Sequence, residues 1–237
     1  MTSLLRKLSR VAAGAAMLLA GGAASALPVS FTLNNGGNQN LNKLTVSIPD
    51  FGATAQSTLT GTIDTQISSP GSLPASLSAV GGEMLLSDFN LLGVLIQAKG
   101  LGVTMSGGPK NSTGGPSPIG FDLGSLFSLT LNQGKIFVNG AVNNDFSVTP
   151  VIFGLPAPTQ SSMAVSPIPN GYNLVWSIPV SVSTLLDNPV APGQKITLSV
   201  TGNVRAVGQY VVPEPGTLLL VVAGLAGLGV AGRRRSG

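Results

Sequence analysis

Carboxylates are the main candidates for catalysis in this 237-residue chain, because it contains neither histidine nor cysteine. Their absence removes thiol nucleophiles, disulfides, imidazole general bases and the usual zinc ligands. A glycosidase would still be conceivable if two distant carboxylates met in the fold. No two central acids share a short motif, which favours solvated turn or loop residues, and we predict a protein that is not an enzyme. These acids are Asp64, Glu83, Asp88, Asp122, Asp145 and Asp187.

Candidate residues for binding a metal or a cofactor are equally few. An all-oxygen calcium site is the remaining option, and the candidate clusters are residues 143–145 and 187–188. Neither segment has the ligand spacing of a calcium loop. The better interpretation is that their Asn and Asp residues form turns. No glycine-rich phosphate loop precedes a helix. We predict no metal and no cofactor, and leave calcium binding open.

Two aromatic residues, Trp176 and Tyr172, could offer a ring face to a sugar. Trp176 falls on the apolar face of an alternating segment, which favours a place in the core. Tyr172 follows Gly171 and is the better candidate for glycan contact. Residues 107–118, rich in Gly and Pro, are predicted to be a surface loop.

Charge is concentrated at the two ends of the chain. The net charge is +4, but basic residues cluster before residue 11 and after residue 232. Between these clusters lie six basic and all eight acidic residues, so the body is slightly negative. A nucleic-acid-binding surface needs clustered basic side chains, so we predict no nucleic-acid partner.

The N-terminus has the three parts of a secretory signal peptide. Basic residues between positions 6 and 10 form a positive region, and residues 11–20 form an apolar run too short to span a bilayer comfortably. Ala24 and Ala26 mark a small-x-small cleavage site, which predicts a mature chain beginning at Leu27. Signal peptidase is therefore an expected processing partner.

The C-terminus is organised in three parts of its own. Pro213, Glu214 and Pro215 are predicted to form an extended segment, because prolines exclude regular helix or central strand. An uncharged apolar stretch, 216–232, would be about 25 Å long as a helix, enough for a short membrane span. The basic residues that follow should hold the tail on the cytoplasmic side of the inner membrane. They are Arg233, Arg234 and Arg235.

These three parts, in this order and behind a signal peptide, resemble the PEP-CTERM sorting domain. The resemblance covers about a tenth of the chain. It implies a Gram-negative, exopolysaccharide-producing host and an exosortase, a membrane transpeptidase that recognises Pro213, Glu214 and Pro215 and removes the tail. These residues would be substrate rather than catalyst. The resemblance implies a protein that is first anchored in the membrane and then released to the surface or the extracellular matrix.

The body, 27–211, alternates apolar and polar residues as half-buried strands do. The clearest segments are 174–182 and 195–212, and Gly202 and Gly208 on the apolar side of the latter suggest bulges. Residues 132–134 are predicted to form a hairpin turn. We predict an all-β fold, a single β-sandwich or open barrel of roughly eight to ten strands. An N-terminal signal helix and a C-terminal membrane-spanning helix should flank it.

The predicted organisation is a signal peptide (1–26), a β-rich extracellular domain (27–211) and a sorting signal (212–237). The first functional hypothesis is a non-enzymatic exported surface or matrix protein, associated with exopolysaccharide or biofilm. A second is a carbohydrate-binding or carbohydrate-active module on the same export route. A third is a membrane-anchored periplasmic protein that is never processed.

Overall fold

A computed structural model describes residues 26–33, 41–68, 73–93, 95–113, 117–188, 191 and 193–211. This part of the chain is all-β, as predicted, with fourteen strands and one short 3-10 turn at Pro49–Phe51. No helix in these ranges is long and apolar enough to cross a bilayer. The predicted signal helix and membrane-spanning helix lie outside the described residues. The strands are β1 (Leu27–Leu33), β2 (Lys43–Ile48), β3 (Ala53–Ser68), β4 (Ser76–Gly81), β5 (Met84–Leu86), β6 (Phe89–Leu91), β7 (Ile96–Asn111), β8 (Ile119–Asp122), β9 (Phe127–Val138), β10 (Ala141–Asp145), β11 (Val151–Gly154), β12 (Gln160–Ile168), β13 (Gly171–Asp187) and β14 (Lys195–Val211).

The fourteen strands form one antiparallel sheet. Its main order is β10-β9-β7-β4-β3-β1-β14-β13-β12-β8. The other strands extend this path: β2 pairs with β14 and β3, β5 with β3 and β7, β6 with β7, and β11 with β9. The predicted eight to ten strands were too few. Strands such as β5 and β6 have three residues each, too short to show an alternating pattern in sequence.

The sheet curls so that its two ends share one core. Phe127 of β9 and Phe121 of β8 belong to the same buried cluster although their strands lie near opposite ends of the sheet order. Near the β8 end, Thr113 and Gly120 exchange two backbone hydrogen bonds, which joins the residues after β7 to β8. Because side chains alternate across a strand, one face of the curled sheet supplies the interior and the other faces solvent.

The strongest single pairing is the β13–β14 hairpin. Its register runs without a shift from Gly171 opposite Val211 to Asp187 opposite Lys195. Gly208 therefore marks no bulge. A Cβ atom there would lie 3.0 Å from both the Phe31 ring and the Val29 side chain, so the glycine lets β1 pack closely against β14.

The predicted hairpin turn at residues 132–134 is wrong. β9 continues straight through this segment to Val138, and the chain reverses at Asn139 and Gly140 instead. Both turn residues have positive φ, 50° and 79°, which fits the two-residue turn that strand twist favours. Gly134 is required for a different reason, since a Cβ atom there would lie 2.5 Å from the carbonyl oxygen of Gly100, at an irregular point in the β7–β9 pairing.

Candidate functional site

The acidic side chains hold turns and neighbouring strands. Asp122 accepts backbone hydrogen bonds from Gly124 and Thr159, both at 3.0 Å. Asp50, Asp64, Glu83 and Asp88 each accept one hydrogen bond, from a different part of the sheet: the donors are Thr197 N at 2.7 Å, Ser30 Oγ at 2.6 Å, Gln133 Nε2 at 3.1 Å and Gly100 N at 2.9 Å. The side chain of Asp187 lies outside the described residues. These hydrogen-bond donors indicate that the described carboxylates have structural roles.

Asp145 has a shifted pKa. It forms an ion pair with Lys135, 2.8 Å between Nζ and Oδ2, and accepts hydrogen bonds from the Ser147 hydroxyl and backbone. The Lys135 contact, followed by the Ser147 hydroxyl, lowers the pKa of Asp145 below its ordinary value. The arrangement closes the turn after β10 and leaves Asp145 a permanent anion at neutral pH.

The candidate calcium segments are described in part, since residues 143–145 are described in full and the side chain of Asp187 is not. Across the residues with described positions, no three His, Cys, Asp or Glu side chains come together as metal ligands would. Near Asp145, the Asn143 amide donates to Asn144 Oδ1 at 2.9 Å. The predictions of no enzyme activity, no metal and no cofactor remain predictions.

Trp176 is a core residue, as its place on the apolar face predicted. It is fully buried, and its ring centroid lies 5.4 Å from that of Phe31. Its indole Nε1 donates to Ser161 Oγ at 3.0 Å, and this hydroxyl donates onward to the carbonyl of Phe121. Burial of the whole ring with its N–H satisfied removes it as a sugar platform.

Tyr172 is half-buried. It packs against the main core cluster and pairs across the strands with Tyr210, which is itself buried. Its role in glycan contact stays a prediction. Among the described residues the ring–ring contact is between Phe31 and Trp176, so Tyr172 stacks on no other described aromatic ring.

The interior holds a cavity of about 120 Å³. Its walls are aliphatic, methionine and phenylalanine side chains from β2, β3, β5, β6, β7, β9, β11, β13 and β14. The polar residues at its described wall are Asn143 and Asn144 of β10. The cavity is partly open, and because its wall residue Asn143 is exposed to solvent, we infer that the opening lies here.

The opening lies where two strand edges face each other without pairing. β12 pairs with β13 only through residues 171–177, and in the described part of the chain no strand pairs with residues 178–187 on the edge away from β14. β10 and β11 form the opposite edge, since each pairs with β9 alone. β11 lies in contact with β13, and both supply cavity walls, through Phe153 on one side and Val180 on the other. We call this opening the seam.

Pro179 helps to keep the seam unpaired. It lies on β13 opposite Asn203 and has no backbone N–H to donate. Proline is tolerated in a strand where its N–H side faces an unpaired edge. The position of Pro179 was readable in the sequence and is the one signal that could have marked this strand as an edge.

The sequence ends that carry targeting signals lie outside the described residues. These are the cleavage-site residue Ala24, the motif Pro213, Glu214 and Pro215, and the basic cluster Arg233, Arg234 and Arg235. Two predicted boundary residues are described: Ala26 immediately precedes the sheet, and Leu27 is the first residue of β1, paired with Ile67. The sheet ends at Val211 of β14.

Comparison with known proteins gives one match. A family model described as the PEP-CTERM protein-sorting motif matches residues 211–235. No curated protein and no solved structure matches the chain. The matched motif implies that the protein is exported and sorted at the membrane with an exosortase as processing partner. The chain therefore carries a PEP-CTERM sorting motif, which begins at the last residue of β14.

Proposed function

We propose that this protein acts outside the cell as a non-enzymatic component of the cell surface or of the extracellular, exopolysaccharide-containing matrix. The sorting motif at residues 211–235 carries this proposal. In this account, signal peptidase removes residues 1–26, the apolar segment 216–232 holds the chain in the inner membrane, and the exosortase then cleaves near Glu214. The body reaches the surface or the medium.

The placement of the sheet supports this route. β1 begins at Leu27, and β14 ends at Val211, so both proposed cleavages fall outside the fourteen strands. Neither cut would remove a core residue of the described part of the chain. The single sheet therefore keeps its described pairings after processing.

The chemistry of the body supports a binding or structural role. Its described carboxylates, Asp187 excepted, serve turns and strand contacts, through the hydrogen bonds and the ion pair already described. Its outer strand faces are rich in Ser and Thr, as along β3 and β14. Such a surface is polar with little charge, which suits packing in a hydrated polysaccharide.

The first prediction tests recognition of the motif. Glu214→Ala should leave the full-length protein in the membrane fraction, because the processing enzyme would no longer recognise the extended Pro-Glu-Pro segment. We would measure its distribution between membrane and medium by immunoblotting in the native host. Thr217→Ser, just inside the apolar segment, is the matched control and should be released like wild type.

Equal release of the Glu214→Ala variant and wild type would contradict the proposal. Retention of wild type itself, with the tail intact, would instead identify an unprocessed membrane-anchored periplasmic protein.

A further inference from the structure

We propose that the interior cavity binds one hydrocarbon chain of an amphiphilic lipid, inserted through the seam with its polar head at Asn143 and Asn144. The inference is independent of the sorting route, because it rests on the body alone. Its basis is the combination of an apolar cavity, an opening bounded by two unpaired edges, and a polar group at that opening.

The volume is large enough for one alkyl chain. A single water requires roughly 10–15 Å³ of such space, so about 120 Å³ accommodates roughly eight to twelve groups of water size. A methylene group is of similar size. The cavity therefore has room for a single alkyl chain of medium length.

The lining excludes a polar ligand. Apart from the asparagines at the opening, the walls offer only apolar side chains, among them Ile63, Met105 and Ile178. A sugar or peptide placed there would lose its hydrogen bonds to water without replacement, at a large cost in free energy. A cavity of this kind stays dry and binds apolar groups.

The opening supplies what the head of an amphiphile needs. Asn144 lies opposite Ile136, a cavity residue, and is half-buried, while Asn143 is exposed. Their amides offer donors and acceptors without a charge, so they can hold a carboxyl, ester or hydroxyl head. The chain would extend inward from this point.

The strands that border the seam carry exposed apolar side chains on both sides. Val142 of β10 is 52% exposed, Ile152 of β11 is 69% exposed, and Leu185 of β13 is 64% exposed. Exposed apolar residues on the strands that border one opening suit contact with an apolar partner. A lipid surface is such a partner, and it is also a source of hydrocarbon chains.

The experiment uses the full-length chain in intact cells and a twelve-carbon fatty acid with a diazirine at its end. After irradiation, labelled peptides are mapped by mass spectrometry. We expect labels on inward-facing positions of the cavity strands, such as those around Met105. In a second arm, extracted protein is mixed with vesicles of phosphatidylglycerol that carries the same diazirine-labelled acyl chain. Labelling of the protein in this arm assigns a membrane lipid as a source. Labelling by the free fatty acid alone assigns a free fatty acid.

Val180→Phe should lower the labelling of cavity peptides at least tenfold, because Val180 is a buried wall residue and the ring would occupy the space. Val175→Phe is the matched control: it makes the same change on the opposite face of β13 and should stay within twofold of wild type. Ala98→Leu, at another buried wall position, is the second blocking variant. Protection from limited proteolysis identifies which variants are folded.

Labelling confined to the apolar segment 216–232 or to outward-facing positions would overturn the proposal. So would undiminished labelling of cavity peptides in a folded Val180→Phe or Ala98→Leu variant.

Discussion

The two halves of the β13–β14 hairpin share one continuous register but have different interiors. The half that contains Trp176 is covered by β12 and filled by aromatic rings, with Phe31 packed against the indole. The other half presents Ile178, Val180 and Val182 to a cavity and has an unpaired edge. Backbone pairing and apolar alternation are therefore not enough to fill a core. Whether a cavity remains depends on the volume of the inward side chains and on whether a further strand pairs with the edge.

This difference defines what each half can do. The filled half stabilises the fold, since Trp176 is fully buried there and has its N–H satisfied. The half with the cavity loses contacts that a close-packed interior would make. An opening at the seam then gives a ligand access to the unfilled volume.

The largest expected effect is in the filled half. Trp176→Ala should destabilise the protein by about 3–5 kcal/mol, because it leaves a large void among side chains that cannot collapse into it. Val182→Ala, at the cavity wall, should cost only about 1–2 kcal/mol, because it removes two methyl groups beside space that is already empty. The measurement is the free energy of unfolding in urea. Equal losses for both variants would remove the distinction between the halves.

A smaller effect is expected where β1 meets the hairpin. Gly208→Ala should destabilise by about 1–3 kcal/mol, since the new Cβ would lie 3.0 Å from the buried Phe31 and from Val29. Gly154→Ala in β11 is the control: no atom lies within 4 Å of its added Cβ, and we expect a change within about 0.5 kcal/mol. Thermal unfolding of both variants at one pH measures this. Indistinguishable melting temperatures for the two would show that β1 is free to shift.

The smallest effect concerns the turn beside the seam. The lowered pKa of Asp145 means that its ionised form stabilises the folded state above the unfolded pKa of about 4. This stabilisation is lost as pH falls through the lower folded pKa. Lys135→Met should therefore be less stable than wild type at pH 7, with a difference that shrinks on acidification.

The control for this prediction is Lys99→Met. Lys99 lies opposite Lys135 on β7, and its ammonium lies 5.6 Å from the Phe137 ring centroid. Its stability difference from wild type should not change between pH 7 and pH 3, because no carboxylate is involved. Urea midpoints across this range measure both. A pH-independent difference for Lys135→Met would contradict the role of the ion pair.

Much of the fold was predictable from alternation alone. The inward positions of Leu174, Trp176, Ile178, Val180 and Val182 follow the period of two, and all of them are buried. The all-β class followed from the same pattern. Alternation predicts which face of a strand points into the core, and this prediction is confirmed for β13.

The cavity could not be predicted, because it is a space that side chains distant in sequence do not fill. Val46, Leu101 and Val180 each look like ordinary core residues, and only their relative positions show that they leave a space. The error at residues 132–134 has a similar origin. Gly134 looked like a turn residue, but the requirement for glycine comes from the Gly100 carbonyl on a neighbouring strand.

The sorting motif was predictable because all of its parts are contiguous in the sequence. We predicted it from Pro213, Glu214 and Pro215 and from the segments that follow them, and the family match covers the same stretch. No contact between distant residues enters that prediction. The function of the body, in contrast, depends on tertiary contacts.

The most direct test of the account is the intact mass of the protein recovered from membrane and medium of its native host. We expect an extracellular species that begins at Leu27 and ends near Glu214, with added mass at that end if a glycan or lipid is attached there. A membrane-bound species that retains Arg233 to Arg235, with no counterpart in the medium or at the cell surface, would contradict sorting and release.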